Sequence, residues 1–387
     1  MDGIQILTIA AIALIIYNYL VYPVLVIVAA RVMTLVLPDK HGSPEGFTEC
    51  SVSFLIAAYN EERVIERKLV NTLSLKAPGG KLDIVVVCDG SDDGTADIAR
   101  RFESRGVRVL HQPERRGKTA ALNRGVAAAR GEIIVFSDAN NDFSEDAVLQ
   151  LTRHFTDPKI GGVCGAKKIR KSEDRESAEG DSLYWKYESA IKTAESMLGS
   201  ITAADGEIFA IRKKLYAPID EKVINDDSEI TLQMIEKGYR VIYENDAQSF
   251  EEASKNIVDD FNVKVRMVVG GFQTLSRYPV KTLVPFSLFS AMFFSHKVLR
   301  WLAPELMILA FIGSWVLVQN KIFLVLALLQ TGVYLLAVIG WFWRNRGRLP
   351  VYVYLPFYIC TMNAAALVAL FRFVGGKSKG VWKKAER

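Results

Sequence analysis

The chain has four cysteines, Cys50, Cys88, Cys164 and Cys360, none in a C-x-x-C pair and none with partner histidines at metal-ligand spacing. That scatter excludes a disulfide framework and a zinc site and reads as reduced thiols. Histidine is equally sparse. His41 falls in a polar linker, and His111, His154 and His296 read as surface or interfacial side chains. Glycine is missing where a dinucleotide fold needs it, because the turn after the first β-rich run reads "AAYNEER", with no G-x-G-x-x-G. A pyrophosphate needs close backbone approach at that turn, so hydride-transfer chemistry is disfavoured. Long apolar runs are missing from the middle of the chain, and charge is nearly missing from residues 4–37. The start, Met1-Asp2-Gly3, lacks the basic residues of a cleaved signal, so the first apolar run is expected to be a retained anchor.

These gaps divide the 387 residues into parts. Residues 1–47 read as a transmembrane anchor and linker, 48–281 as a charged, mixed domain, 282–300 as an interfacial amphipathic segment, and 301–387 as transmembrane helices with a basic tail. One span is expected near the N-terminus, and three more at 302–318, 322–343 and 351–373, each close to the ~20 apolar residues that cross a bilayer. Arg31 and Lys40 follow the first span, and Arg344, Arg346 and Arg348 follow the third, which places the central domain in the cytosol, at an inner or plasma membrane. The tail "GGKSKGVWKKAER" conflicts with this, since three outgoing spans would carry its basic residues across. Either the last apolar segment does not fully cross, or "LVPFSLFSAMFFS" also enters the membrane. The excess of 48 Lys+Arg over 43 Asp+Glu is small and gathers near the membrane flanks. It suits anionic lipid heads and argues against nucleic acid.

Between the apolar ends, strand, loop and helix alternate four times. The units are "SVSFLIAAYNEERVIERKLVNTL", "KLDIVVVCDGSDDGTADIARRF", "VRVLHQPERRGKTAALNRGVAAA" and "EIIVFSDANNDFSEDAVLQLTRHF". Such alternation implies a Rossmann-like, mostly parallel α/β sheet covered on both faces. Ligands of such sheets sit outside the carboxyl ends of the strands. The loops predicted there carry Tyr59, Asn60 and Glu61, then Asp89, Ser91 and Asp93, then Asp138, Asn140 and Asp142. Aspartate and serine also favour tight turns on their own account. Their gathering on one edge is what points to chemistry. Hard divalent ions take one or two carboxylates plus phosphate oxygens, which Asp-x-Asn loops supply, so Mg2+ or Mn2+ with a nucleoside diphosphate suits the set. Lys118, at the start of a predicted helix, could steady a leaving diphosphate.

The stretches "FLIAAYNEE", "CDGSDDGT", "GKTAALNRG", "FSDAN" and "INDDSEI" stand in the order found in inverting family-2 glycosyltransferases of the GT-A fold. With its flanking apolar segments the chain resembles the membrane-embedded branch that includes cellulose, chitin, hyaluronan and poly-N-acetylglucosamine synthases. The resemblance implies that Glu61 and Asp89 meet the base and ribose of a nucleotide sugar, with Asp93 and Thr95 bracing the loop. It implies that Asp138 and Asn140 form the metal and diphosphate motif. Asn140 departs from the family's carboxylate there, which leaves a part for Asp142. It also makes Asp227 the catalytic base, with Asp226 as the competing choice; Asp227 could instead simply cap the helix that follows. Tyr59 and Arg266 join the expected donor site. Processive relatives carry Gln-x-x-Arg-Trp at the interface. Here Val263 and Met267 replace the glutamine and tryptophan and only Arg266 is kept, which removes a sugar-stacking platform.

The function so implied is transfer of a sugar from a nucleotide-sugar donor, UDP-linked, to a growing glycan, with a β-linkage formed by one inverting displacement. The partners are the donor, a glycan or lipid-linked acceptor and the bilayer. Two rivals stand beside it: a non-processive transferase acting on a lipid or polyprenyl carrier, and a non-catalytic nucleotide-sugar-binding scaffold.

Overall fold

The computed structural model describes residues 2–36, 49–170, 177–252, 257–279, 284, 286–344 and 349–376. The basic tail from 377, Arg346 and Arg348, His41, Lys40 and the expected boundaries at 47/48 and 281/282 lie outside the described residues.

The central domain is built on one eight-stranded sheet. Its strands are β1 (Val52–Ala58), β2 (Leu82–Asp89), β3 (Val107–Gln112), β4 (Ile133–Asp138), β5 (Asp142–Phe143), β6 (Ile160–Ile169), β7 (Ile208–Arg212) and β8 (Arg240–Glu251), in the spatial order β3-β2-β1-β4-β7-β6-β8-β5. β3, β2, β1 and β4 are parallel neighbours, and β6 pairs parallel with β8. β7 and β5 run antiparallel to their partners. The parallel strands are near-continuous apolar runs because both faces are covered. Alternate residues feed two layers. Phe54, Ile56, Val86 and Val135 pack on one side, and Leu55, Val85, Val87, Ile134 and Phe136 on the other.

Strand register decides where the chemistry can sit. Ala57 pairs with Asp138 and Ala58 with Cys88, so the chain leaves β1, β2 and β4 side by side at one edge. The helices that follow these strands are α2 (Ile65–Leu73), α3 (Thr95–Arg100), α4 (Lys118–Ala128) and α5 (Ala147–Thr152). Helix α4 lies close on β1 and β2: a Cβ on Gly125 would come within 2.3 Å of Leu55 Cδ1.

Four further helices join the domain to the membrane part: α6 (Ser177–Leu198), α7 (Asp226–Glu236), α8 (Ile257–Arg277) and α9 (Leu288–Trp301). Three helices are long and apolar enough to cross a bilayer, Gly3–Val36, Lys321–Trp343 and Val351–Val374, and a bent pair raises this to four. The N-terminal helix has 34 residues, about 51 Å at the usual helical rise, which exceeds a ~30 Å hydrocarbon core. Its first half exposes Ile4, Ile6 and Leu7, while Tyr22, Val26 and Ala30 of its second half pack on Ile191 and Ala194 of α6. The expected span at 302–318 is a 14-residue helix, Ala303–Val316, about 21 Å long. It is too short to cross alone and joins α9 at a 61° bend.

The last apolar helix, Val351–Val374, runs alongside α8. Val353 and Phe357 cluster with Ile257 at the start of α8. Ala365, Ala366 and Ala369 cluster with Val265, Val268 and Phe272 further along α8, and with Ile224 of the domain. The Phe373 ring lies 5.7 Å from that of Phe272. The helix is thus packed on α8 at both of its ends.

Gly125→Ala tests the tight seat of α4. Helix propensity alone predicts a gain of up to ~1 kcal/mol. Contact with Leu55 predicts instead a loss of about 1–3 kcal/mol, read as a lower thermal midpoint.

Candidate active site

The first two loops are stitched together by side chains. Asn60 adopts φ +52°, the left-handed region that asparagine tolerates. Its amide donates to Asp92 Oδ1 at 2.6 Å, and its Oδ1 accepts from the Asp92 N–H at 3.1 Å. The Glu61 N–H donates to Thr95 Oγ1 at 2.7 Å, and Thr95 Oγ1 donates to Asp93. Asp93 and Thr95 thus brace the loop. The Arg115 guanidinium lies 3.7 Å above the Tyr59 ring and closes one face of it.

Asp89 is buried at 3% exposure, and both its oxygens are engaged by the chain. Oδ2 accepts the N–H groups of Arg116 and Gly117, and Oδ1 accepts from Arg124. The aspartate therefore shapes the turn that launches α4, where Gly117 takes φ +104°. It acts on Lys118, the next residue, by fixing where that side chain starts.

Lys118 Nζ sits 2.6 Å from Asp138 Oδ1. Burial lowers the affinity of this ammonium for its proton, but Asp138, Asp226 and Asp227 outweigh burial and hold its pKa above the usual lysine range. Asp227 opens α7. Its Oδ1 accepts from the Ser228 N–H at 2.6 Å and its Oδ2 from the Gly206 N–H at 3.3 Å. Burial, with Asp226 and Asp205 adding repulsion against Lys118, pushes its pKa up to about 6. Asp226 is 6% exposed, and Asp227 is the more open of the two. Asp205 in turn pairs with Lys192 of α6 at 2.7 Å.

Lys118, Asp138 and Asp227 are thus brought together, with Asp226, the competing choice for the base, beside them and with Asp205 and Lys192 as neighbours that the motifs did not single out. Four carboxylates against two ammonium groups leave room for added positive charge. Among the described residues no group of three or more His, Cys, Asp or Glu side chains forms a metal cage. The carboxylate oxygens of this set are hard donors of the kind that a divalent ion takes together with phosphate oxygens. The Asn140 amide nitrogen donates to Glu251 Oε1 at 2.8 Å. Asp142 pairs with Arg170 at 2.5 Å and Arg67 at 3.4 Å. Arg266 lies half-buried on α8, one residue before the Met267 carbonyl that accepts from Asn225 at 2.9 Å, and that bond ties α8 to the start of α7. Met267 itself is 47% exposed.

A buried support under the β4 loop was missed. Lys68 of α2 donates to the Asn141 carbonyl and Oδ1 at 2.8 and 3.0 Å, and lies 4.6 Å from the Phe143 ring centre. Asn141 donates on to Ser249 and the Glu207 carbonyl. The available signal was a lysine on the apolar face of a helix, beside Ile65, Leu69 and Thr72. Burial pushes its pKa down to about 7, against Asp142, Asp138 and Glu207.

Residues 53–219 match the family described as "Glycosyl transferase family 2". The central part of the chain is thus similar to glycosyl transferase family 2. Poly-beta-1,6-N-acetyl-D-glucosamine synthase of Staphylococcus aureus (strain COL) is 29% identical over 234 residues, 58% of this chain and 56% of that protein. The Staphylococcus epidermidis enzyme of the same name is 28% identical over 289 residues, 72% of this chain and 68% of that protein. The chain spans about half the length of the Staphylococcus aureus relative. Among solved structures, a mannosyltransferase from Pyrobaculum calidifontis in complex with GDP-Man and Mn2+ shares the fold at TM-score 0.73 and 24% identity, over 96% of this chain and 99% of that one. The central domain thus has the GT-A fold, set among membrane helices as expected.

If Asp227 is the group whose ionisation limits turnover, the rate rises with pH through about 6 and then levels. A pH profile of Asp226→Asn should move this limb down, because it removes a repelling neighbour. A limb that stays in place in that variant contradicts the coupling.

Proposed function

We propose that the chain is a membrane-bound, inverting glycosyltransferase that moves a hexose from a UDP-linked donor to a glycan acceptor, with its catalytic domain at the cytosolic face of an inner or plasma membrane. The observation that carries this reading is the meeting of Lys118 and Asp138, which lie in the region similar to glycosyl transferase family 2, with Asp227 just beyond it. The relatives named poly-beta-1,6-N-acetyl-D-glucosamine synthase support a β-linked glycan as product.

The roles follow from charge and position. Tyr59, Glu61 and Asp89 line or shape the nucleotide side, and Asp89 does so through the Arg116–Lys118 turn it fixes. Asp227 accepts the proton of the acceptor hydroxyl as that oxygen bonds to the anomeric carbon. The bond from that carbon to the diphosphate breaks on the opposite face, which inverts the configuration. Lys118 donates to the departing diphosphate oxygen, and its ammonium is positioned before the charge develops. Mg2+ or Mn2+, held by Asp138 with diphosphate oxygens, would supply further neutralisation of the leaving group; the Mn2+ in the Pyrobaculum calidifontis complex supports this. Asn140 contributes by keeping the loop against Glu251.

A second reading, single addition to a lipid or polyprenyl carrier, is favoured by one observation: Met267 stands where processive relatives place a stacking tryptophan.

Purified chain incubated with UDP- and GDP-sugars and Mn2+ should release nucleoside diphosphate from one donor class, and product mass separates polymer from single addition. Asp227→Asn should keep donor binding and lower turnover by at least ~10²-fold. Binding unchanged, with no turnover in the parent for any donor, supports a scaffold instead.

A further inference from the structure

The acids at the start of α7 stand on a segment that is gripped from outside its own helix. Residues 222–229, which bracket Asp226 and Asp227, lie along one side of α8. The Ile224 N–H donates to Gln273 Oε1 at 3.1 Å, and Gln273 Nε2 donates back to the Lys222 carbonyl at 3.3 Å. One turn further, Arg277 donates to both oxygens of Glu229, at 3.1 and 2.8 Å, and the Tyr278 hydroxyl donates to Glu229 Oε1 at 2.8 Å. Ile224 itself packs among Val265, Val268 and Phe272 of α8.

Asn225 lies between these two grips and does not act as an ordinary cap. An asparagine just before a helix usually accepts the N–H of the second or third helical residue. Asn225 makes no such bond. Its amide nitrogen donates instead to the Met267 carbonyl of α8 at 2.9 Å. Its side chain occupies the space above Gly270, where a Cβ would come within 2.3 Å of Asn225 Oδ1 and 2.4 Å of Asn225 Cγ. The N–H of the third helical residue, Ser228, is therefore left to Asp227 Oδ1, which accepts it at 2.6 Å, while Asp227 Oδ2 accepts from the Gly206 N–H at 3.3 Å. Sequence places two side chains, Asn225 and Asp227, to serve one helical donor, and α8 withdraws the first of them.

We propose that Asn225 is a positioning residue for Asp227: held on Met267 and Gly270, it leaves the Ser228 N–H to the aspartate and so keeps that carboxylate in one orientation. This rests on the reading of Asp227 as the base of the transfer. Asn225→Ser separates anchoring from capping. Serine caps a helix about as well as asparagine but is too short to reach Met267, so it turns back onto the Ser228 N–H and competes with Asp227. The variant should keep the thermal midpoint and the donor KM while kcat falls about tenfold or more. Gly270→Ala displaces the Asn225 side chain without altering α7 and gains helix propensity, so it should fold and lose kcat in the same way. Because both changes break one contact, Gly270→Ala should cost no further turnover in the Asn225→Ser chain. Parental kcat in Asn225→Ser, a rise in donor KM alone, or equal losses from Gly270→Ala in both backgrounds overturns the proposal. A loss of kcat that follows a lower midpoint in both single variants makes the residue structural and also overturns it. Absence of turnover in the parent with every donor refutes the transferase reading instead, and the anchor is then read from thermal midpoints. Gly270→Ala should gain more stability in the Asn225→Ser chain than in the parent, and equal gains overturn the anchor.

Discussion

The site depends on one ammonium group among acids. Lys118 Nζ touches Asp138 and feels Asp226 and Asp227, and without it three carboxylates would crowd at the end of a buried sheet. Opposite charge close by is what keeps such a group ionised against burial. The same cation holds Asp138 in place. In the proposed function a divalent ion would compete with it for that carboxylate, and would gain the site most readily together with a diphosphate, whose oxygens bring the charge that lets Lys118 be shared.

Much of the surrounding structure serves to place that lysine and those acids. Parallel register brings the ends of β1, β2 and β4 to one edge. Asp89 ties the turn before α4, and Gly125 lets that helix sit tightly on Leu55. Lys68 and Asn141 hold the loop after β4 from beneath. Asn225, bonded to the Met267 carbonyl, links α7 and its acids to α8, and α8 is lined along its length by the last apolar helix.

The alternating strand-helix pattern made the α/β sheet readable in the chain, while the GT-A class and Asp227 came from the resemblance; the structure brings Lys118, Asp138 and Asp227 together. What was not readable depended on partners distant in sequence. Asp89 looked like a ligand contact, yet its two oxygens are taken by Arg116, Gly117 and Arg124 some thirty residues on. Asn140 shared the metal motif by spacing, but its amide meets Glu251 at the end of a different strand. Hydropathy reports length and apolar content, so it could not tell that 351–374 lies along α8 or that 303–316 bends onto α9.

The claim that Lys118 occupies the charge place of a divalent ion until the donor arrives is tested most directly by Mn2+ binding, followed by electron paramagnetic resonance without turnover. The parent should bind Mn2+ weakly alone and at least ~10-fold more tightly with nucleoside diphosphate. Lys118→Met, with its acids uncompensated, should bind Mn2+ alone more tightly than the parent does. Tight binding by the parent without nucleotide, unchanged in Lys118→Met, would contradict the account.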